Sequence, residues 1–323
     1  MPANTKTKFE LKLGAATREA FGKALVELGR TNPNVVVLDA DLSKSTHTAG
    51  FAKEFPERFV ECGIAEANMV AIGAGLASAG KIPFASSFSV FLLNKGFEQL
   101  RVTAAFPGVN LKVVGTHSGI SIGEDGPSQM SIEDVSLACS LAGFTVISPA
   151  DEVATFKLVQ AAAAFVGPLF IRTGRAKAPV VYGQDQQFTI GKAIELVEGT
   201  DVTLIATGLL VAESIRAAEQ LEAEGISARV IDVHTVRPLD RDTVARAAKE
   251  TGAVVVSEEH LVDGGLGVRV SQAIAETHPV PMEFVGIQNT YAESGTPDEL
   301  LDKYGLRARD VAAAARRAVQ RKR

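Results

Sequence analysis

The chain has no tryptophan, three tyrosines and two cysteines. So sparse an aromatic set leaves no stacking surface of the kind that single-stranded nucleic acid uses. Cys62 and Cys139 are far apart and form no C-x-x-C, which excludes a disulfide framework or a zinc site and fits a reducing cytosol. No apolar run approaches the ~18 residues that span a bilayer. The opening stretch, MPANTKTKFELK, lacks the apolar core of a secretory signal. Basic charge is not in excess either: 33 Lys and Arg against 38 Asp and Glu give a net charge of −5, which argues against a nucleic-acid footprint. What is there is an ordinary globular composition, 46% hydrophobic over 323 residues. At roughly 150 residues per domain that length predicts about two domains. A soluble, cytoplasmic protein without membrane or nucleic-acid partners is the expectation.

Short apolar runs alternate with helix-like segments. Val35–Leu38, Lys112–Gly115, Phe144–Ile147 and Leu169–Arg172 read as strands. Thr17–Arg30, Ile64–Ala79 and Asp151–Phe165 read as helices, and Ile64–Ala79 is apolar nearly all round, as a buried helix is. Around Gly174–Gln187 the pattern lapses into Gly, Pro and polar residues. A second series follows, with strands at Val202–Ile205, Ala228–Ile231, Val254–Val256 and Met282–Ile287 and helices between them. The reading is therefore α/β, two doubly wound domains with mostly parallel sheets, placed at residues 1–178 and 191–323 with a linker at 179–190. In such sheets ligands sit beyond the carboxyl ends of the strands. Asp39, Asp41, His117, Ser148 and Arg172 occupy those ends, all in the first domain.

Several motifs carry chemistry, each beside a plainer meaning. Gly73-x-Gly75-x-x-Ser78 resembles part of a dinucleotide fingerprint but lies inside a helix, where small residues serve close packing. Gly264-Gly265-Leu266-Gly267 has better context, yet helix-turn packing suits it better. Glu66 opens an almost wholly apolar helix. A carboxylate there gains from the helix dipole. So apolar a setting also predicts desolvation, a raised pKa and a specific partner. The loop THSGISIGEDGPSQ, framed by His117 and Asp125, is either a surface Ω-loop or a polar, glycine-rich ligand site. Arg172 and Arg175, in IRTGR, suit an anion clamp or a surface ion pair. Phe84, Phe88 and Phe91 have the spacing of one helical face, which reads first as core packing. The basic tail from Arg316 to Arg323 reads as a solvated helix end.

GIAEANM, HSGISIGEDGP and IRTGR occur in that order, flanked by ATRE at Thr17, TVRPLD at Thr235 and SEEH at Ser257. With these the sequence resembles the C-terminal half of transketolase over nearly its whole length. It is less closely similar to deoxyxylulose-phosphate synthases and to the β subunits of 2-oxo-acid dehydrogenases. The resemblance implies a thiamine-diphosphate enzyme whose two domains here are the pyrimidine-binding and the C-terminal ones. Glu66 then matches the catalytic glutamate that hydrogen-bonds N1′ of the aminopyrimidine. Phe88 and Phe91 match aromatics packing around that ring, and Asp41 an aspartate near the cofactor. Arg18, Ser45, His117 and Arg172 match sugar-phosphate contacts, and Asp125 an aspartate facing a substrate hydroxyl. Gln129 stands where the family usually has a histidine at the donor end of the sugar; it can donate and accept hydrogen bonds but cannot be protonated.

The family also carries a GDG motif followed by Asn, which holds Mg²⁺ and the diphosphate. No GDG occurs in this sequence, and Glu124-Asp125-Gly126 lacks the leading Gly. The resemblance thus implies a split transketolase, with Mg²⁺ held by an N-terminal partner subunit, no metal ligands on this chain, sugar phosphates as substrates and an α2β2 assembly. Two alternatives stand beside it: the β subunit of a 2-oxo-acid dehydrogenase E1 component, which needs no sugar-phosphate clamp, and a non-catalytic structural subunit.

Overall fold

Apolar runs buried on both faces become inner strands, and here they assemble into two of three sheets, the third being a two-stranded antiparallel pair. The structure is a computed structural model that describes residues 9–322. Residues 1–8, expected to carry no secretory signal, and Arg323 of the basic tail lie outside the described residues. In chain order β1 (Leu13–Ala16) leads into α1 (Thr17–Thr31), β2 (Val35–Asp39), the short helices α2 (Ser43–Thr46) and α3 (Ala49–Glu54), and β3 (Phe59–Glu61). Then come α4 (Glu66–Ser78), β4 (Ile82–Phe88) and α5 (Ser89–Gln99), which continues through a π-helical turn at Leu100–Ala105. The first half closes with β5 (Lys112–Thr116), α6 (Asp134–Ser140), β6 (Thr145–Ile147), α7 (Glu152–Ala164), β7 (Leu169–Arg172) and β8 (Lys177–Pro179). The second half holds β9 (Ile194–Val197), β10 (Val202–Ala206), α8 (Leu210–Ala223), β11 (Ala228–Asp232), β12 (Thr235–Arg237) and α9 (Arg241–Thr251). It ends with β13 (Val254–Leu261), α10 (Leu266–Thr277), β14 (Met282–Ile287), α11 (Pro297–Lys303) and α12 (Ala308–Gln320).

The larger sheet has the order β12-β6-β7-β5-β4-β2-β3 and is parallel except for β12. The smaller has the order β14-β13-β10-β11-β9 and is parallel except for β9. Alternate residues of each strand serve opposite faces. Val35 and Val37 of β2 join one core and Leu38 the other; Phe84 and Ala85 of β4 divide the same way. Helices α1 and α7 cover the first face, and α4, α5 and α6 the second. In the smaller sheet α8 and α12 lie opposite α9 and α10. Both halves are thus doubly wound. Among the described residues no helix is long and apolar enough to cross a membrane.

One local expectation is corrected. Phe84, Phe88 and Phe91 do not share a helical face: Phe84 and Phe88 belong to β4, and α5 begins only at Ser89. Ser86 and Ser87 interrupt the apolar run in the sequence, yet both are buried, and the Ser86 hydroxyl donates to the Val114 carbonyl. β12 comes from the C-terminal half but pairs antiparallel with β6 in the first sheet. The two halves therefore share a sheet edge.

Candidate active site

The candidate residues gather where β2, β4 and β5 end and where α1 and α4 begin. Asp39 closes β2 with a buried carboxyl, which accepts hydrogen bonds from the Leu42 amide (2.7 Å) and from the Thr46 (2.6 Å) and Thr48 (2.8 Å) hydroxyls. Burial raises its pKa to about 6 against the pull of these donors. The loop so folded lies tight on α1: a side chain at Gly22 would stand 2.5 Å from the His47 carbonyl oxygen. It presents the Ser45 carbonyl, which accepts from the Arg18 guanidinium at 2.8 Å. Asp41, with a left-handed φ of 63°, is exposed at the rim, its amide donating to Glu61.

Arg18 also lies 2.8 Å from His117 Nε2. A guanidinium only donates, so Nε2 accepts and the proton sits on Nδ1. Nδ1 in turn meets the Thr116 hydroxyl at 2.8 Å, and that hydroxyl donates to the Ser87 carbonyl. The imidazole is neutral. Burial, and then the charges of Arg18, Arg175 and His47, hold its pKa down at about 3.

The His117 ring stacks on Phe88 at 3.7 Å, and Phe88 stacks on Phe91 at 5.6 Å with a 9° interplanar angle. Phe91 and Lys95 lie one turn apart on α5, so they share a face. Lys95 Nζ sits 4.6 Å from the Phe91 ring centre and 3.2 Å from Glu66 Oε2. Glu66, at the first turn of α4, is 2% exposed and also accepts from the Ser87 hydroxyl at 3.5 Å, whereas Lys95 is half exposed. A continuous ladder thus runs Arg18, His117, Phe88, Phe91, Lys95, Glu66. Lys95 and Ser87 were not singled out in the sequence, whereas Thr116 stood out only as a donor of the THSGISIGEDGPSQ loop. The Phe91–Lys95 pairing is legible only once α5 is known to start at Ser89.

The His117 loop turns repeatedly, with left-handed φ at His117 (58°), Gly119 (77°), Gly123 (88°) and Gly126 (80°). Asp125 is exposed on it, and its charge reaches Arg18. Gln129 is half-buried, and its Oε1 accepts from the Ser128 hydroxyl. Arg175 anchors the loop by donating to the Ile122 carbonyl and to Glu124, and its charge acts on both Arg18 and His117.

Arg172 is placed elsewhere. Its Nε donates to both oxygens of Asp134 (2.9 and 3.1 Å) and its Nη2 to the Ser131 and Glu259 carbonyls. It is 8% exposed and committed to these partners, so the structure does not bring it to Arg18 and His117; Arg175 occupies that position. The remaining motifs take their plainer meanings. A side chain at Gly73 would press 2.8 Å against Leu111, which fits close helix packing. The amides of Leu266 and Gly267 donate to Glu258, so the glycine-rich turn holds the chain's own carboxylate. Arg316, Arg317 and Arg321 pair at the surface with Glu224 and Glu283. Among the described residues no group of three or more His, Cys, Asp or Glu is arranged to hold a metal ion.

The family model "Transketolase, pyrimidine binding domain" matches residues 14–180, and "Transketolase, C-terminal domain" matches residues 191–311. The 6-deoxy-6-sulfo-D-fructose transketolase subunit SqwH of Clostridium sp. (strain MSTE9) is 40% identical over 97% of this chain and 98% of its own length. Human transketolase is 40% identical over 93% of this chain but only 48% of its own length. A solved structure described as "Split gene transketolase, inactive beta4 tetramer" is 49% identical, with a TM-score of 0.90, over 96% of this chain and 100% of that one.

Proposed function

The chain belongs to the transketolase family, and from that premise we propose that it is the C-terminal subunit of a two-chain, thiamine-diphosphate-dependent transketolase. It moves a two-carbon ketol group from a ketose phosphate to an aldose phosphate. The observation that carries this reading is the ladder from Arg18 to Glu66, which joins an anion pocket to a buried carboxylate. Those residues fit the cofactor. Glu66 is enclosed but reachable where Lys95 is half exposed, which suits a ring nitrogen that shares a proton with a carboxylate. Phe88 and Phe91 offer parallel faces that orient a pyrimidine and keep water from it. Arg18 Nε is buried without a partner, as a donor awaiting an anion would be. Thiamine diphosphate, when bound, supplies the electron sink for cleaving the ketose.

The chain's own groups then have distinct tasks. Glu66 holds a proton at N1′ of the pyrimidine. Arg18, oriented by the neutral His117, receives the phosphate beside Ser45, with Arg175 in place of Arg172. Asp125 and Gln129 address sugar hydroxyls, and Asp41 borders the cofactor. Mg²⁺ and the diphosphate are held by an N-terminal subunit with a GDG…N motif, in an α2β2 assembly. Two facts support a split enzyme: a relative of matching length is named a subunit, and human transketolase is about twice as long as the part this chain matches. The dehydrogenase reading is not favoured, since both family models are those of transketolase.

The test mixes both subunits with thiamine diphosphate and Mg²⁺ and follows ketol transfer from xylulose 5-phosphate, with 6-deoxy-6-sulfofructose as a second donor. The chain alone is expected to be inactive, and turnover by it alone overturns the split site. Glu66→Gln should lower kcat at least about 100-fold with an unchanged unfolding curve. Near-normal turnover in that variant removes Glu66 from its role.

A further inference from the structure

The C-terminal domain contributes nothing to the ladder, yet it reaches the loop that carries His117 and Asp125. Glu259 of β13 is 5% exposed, and its Oε1 accepts from the Ser121 amide at 2.6 Å. It does so through the space that Gly119 leaves: a side chain there would stand 2.2 Å from the Glu259 carboxyl, in a backbone with φ at 77°. Both features demand glycine. The same strand is fastened to the first domain around that contact. Its Glu259 carbonyl accepts from Arg172 at 2.9 Å, and its Leu261 amide donates to the Ile132 carbonyl at 2.9 Å. The loop needs such a hold. His117 is a non-glycine residue in the left-handed region, a conformation that costs on the order of 1–3 kcal/mol and persists only where the surroundings impose it. The hydroxyls of Ser118 and Ser131, buried beside it, have no partner and supply none.

We propose that Glu259 is a positioning residue for the anion pocket, its carboxylate fixing the loop on which His117 and Asp125 stand. This rests on the sugar-phosphate reading for its consequence in turnover, but not for the loop itself. A small cavity of about 30 Å³ adjoins the carboxylate, lined in part by Ser118, Ser121, Arg172 and Thr173. Truncating Glu259 enlarges that void and removes the acceptor of the Ser121 amide.

The decisive measurement is amide hydrogen exchange of residues 118–126 in the full chain without its partner. Glu259→Ala should speed exchange there about tenfold, the effect of losing one hydrogen bond to a charged acceptor. Glu259→Gln, whose amide oxygen still accepts, should restore protection. Should the alanine variant not fold, Glu259→Met keeps the volume and deletes only the acceptor. Unchanged exchange at 118–126, or faster exchange spread evenly through the smaller sheet, overturns the proposal, as does failure of both the alanine and methionine variants to fold. In the reconstituted enzyme the alanine variant should raise KM for the sugar phosphate about tenfold while kcat stays within about threefold, with glutamine restoring KM. A freed loop with unchanged KM would leave the Glu259 link standing and refute the assignment of the pocket to sugar phosphate.

Discussion

The two ring nitrogens of His117 are told apart by their neighbours, since Arg18 can only donate and Thr116 is free to accept. The sequence marked His117 as a polar residue at a strand end, and Glu66 as a carboxylate in an apolar helix. Neither the tautomer nor the Lys95 partner was legible there, because the first depends on Arg18, 99 positions from His117, and the second lies 29 positions from Glu66. With its pKa held at about 3 in the folded chain, against ~6.5 unfolded, the unfolded state binds the extra proton between those two values. His117 therefore leaves stability intact above about pH 6.5 and removes it as pH falls towards 3, by up to ~1.4 kcal/mol per pH unit. Two results are expected. Imidazole ¹⁵N shifts should show His117 neutral and Nδ1-protonated from pH 9 to 5. His117→Asn should lose less stability than the native chain between pH 6.5 and 5 in urea titrations. Equal losses in the two chains would remove His117 as the source.

At the scale of elements, strands and helices were largely legible, because strands buried in parallel sheets read as unbroken Val, Ile and Leu runs. The failures are physical. β4 hides behind two serines whose burial only the neighbouring strand explains. β12 has three residues and takes its meaning from a partner in the other half. The IRTGR segment shows the same limit. Both arginines stand at the end of β7, but the backbone turns after Arg172, which points between α6 and β13 while Arg175 reaches the His117 loop. The two should separate by experiment. Arg172→Gln strands the buried Asp134 carboxylate and should cost about 3–5 kcal/mol, seen as a lower urea midpoint. Arg175→Gln loses a partly exposed pair and should stay within about 1 kcal/mol, while raising KM for the sugar phosphate about tenfold in the reconstituted enzyme. The reverse pattern would return the phosphate contact to Arg172.

For the whole molecule, buried bonds tie the two halves together across residues 179–190. Asp151 of the first half accepts from the Val181 and Tyr182 amides, and the Tyr182 hydroxyl donates to Asp232 of the second half at 2.5 Å. β12 covers the edge of β6, Arg172 leans on β13, and Glu259 holds the His117 loop. These bonds are buried, so separating the halves exposes polar groups that were already paired and uncovers a strand edge open to aggregation. The intact chain should therefore unfold in a single calorimetric transition, with calorimetric and van't Hoff enthalpies in agreement. A fragment ending at Gln187 keeps every strand of the larger sheet except β12, and length alone would let it fold. It should nevertheless lack a cooperative transition or aggregate, since it loses together the Asp232 partner of Tyr182, the strand covering the β6 edge and the Glu259 carbonyl to which Arg172 donates. A monomeric fragment melting within a few degrees of the intact chain would show that the first domain carries its own stability, and that the C-terminal domain is an addition to the site and not its foundation.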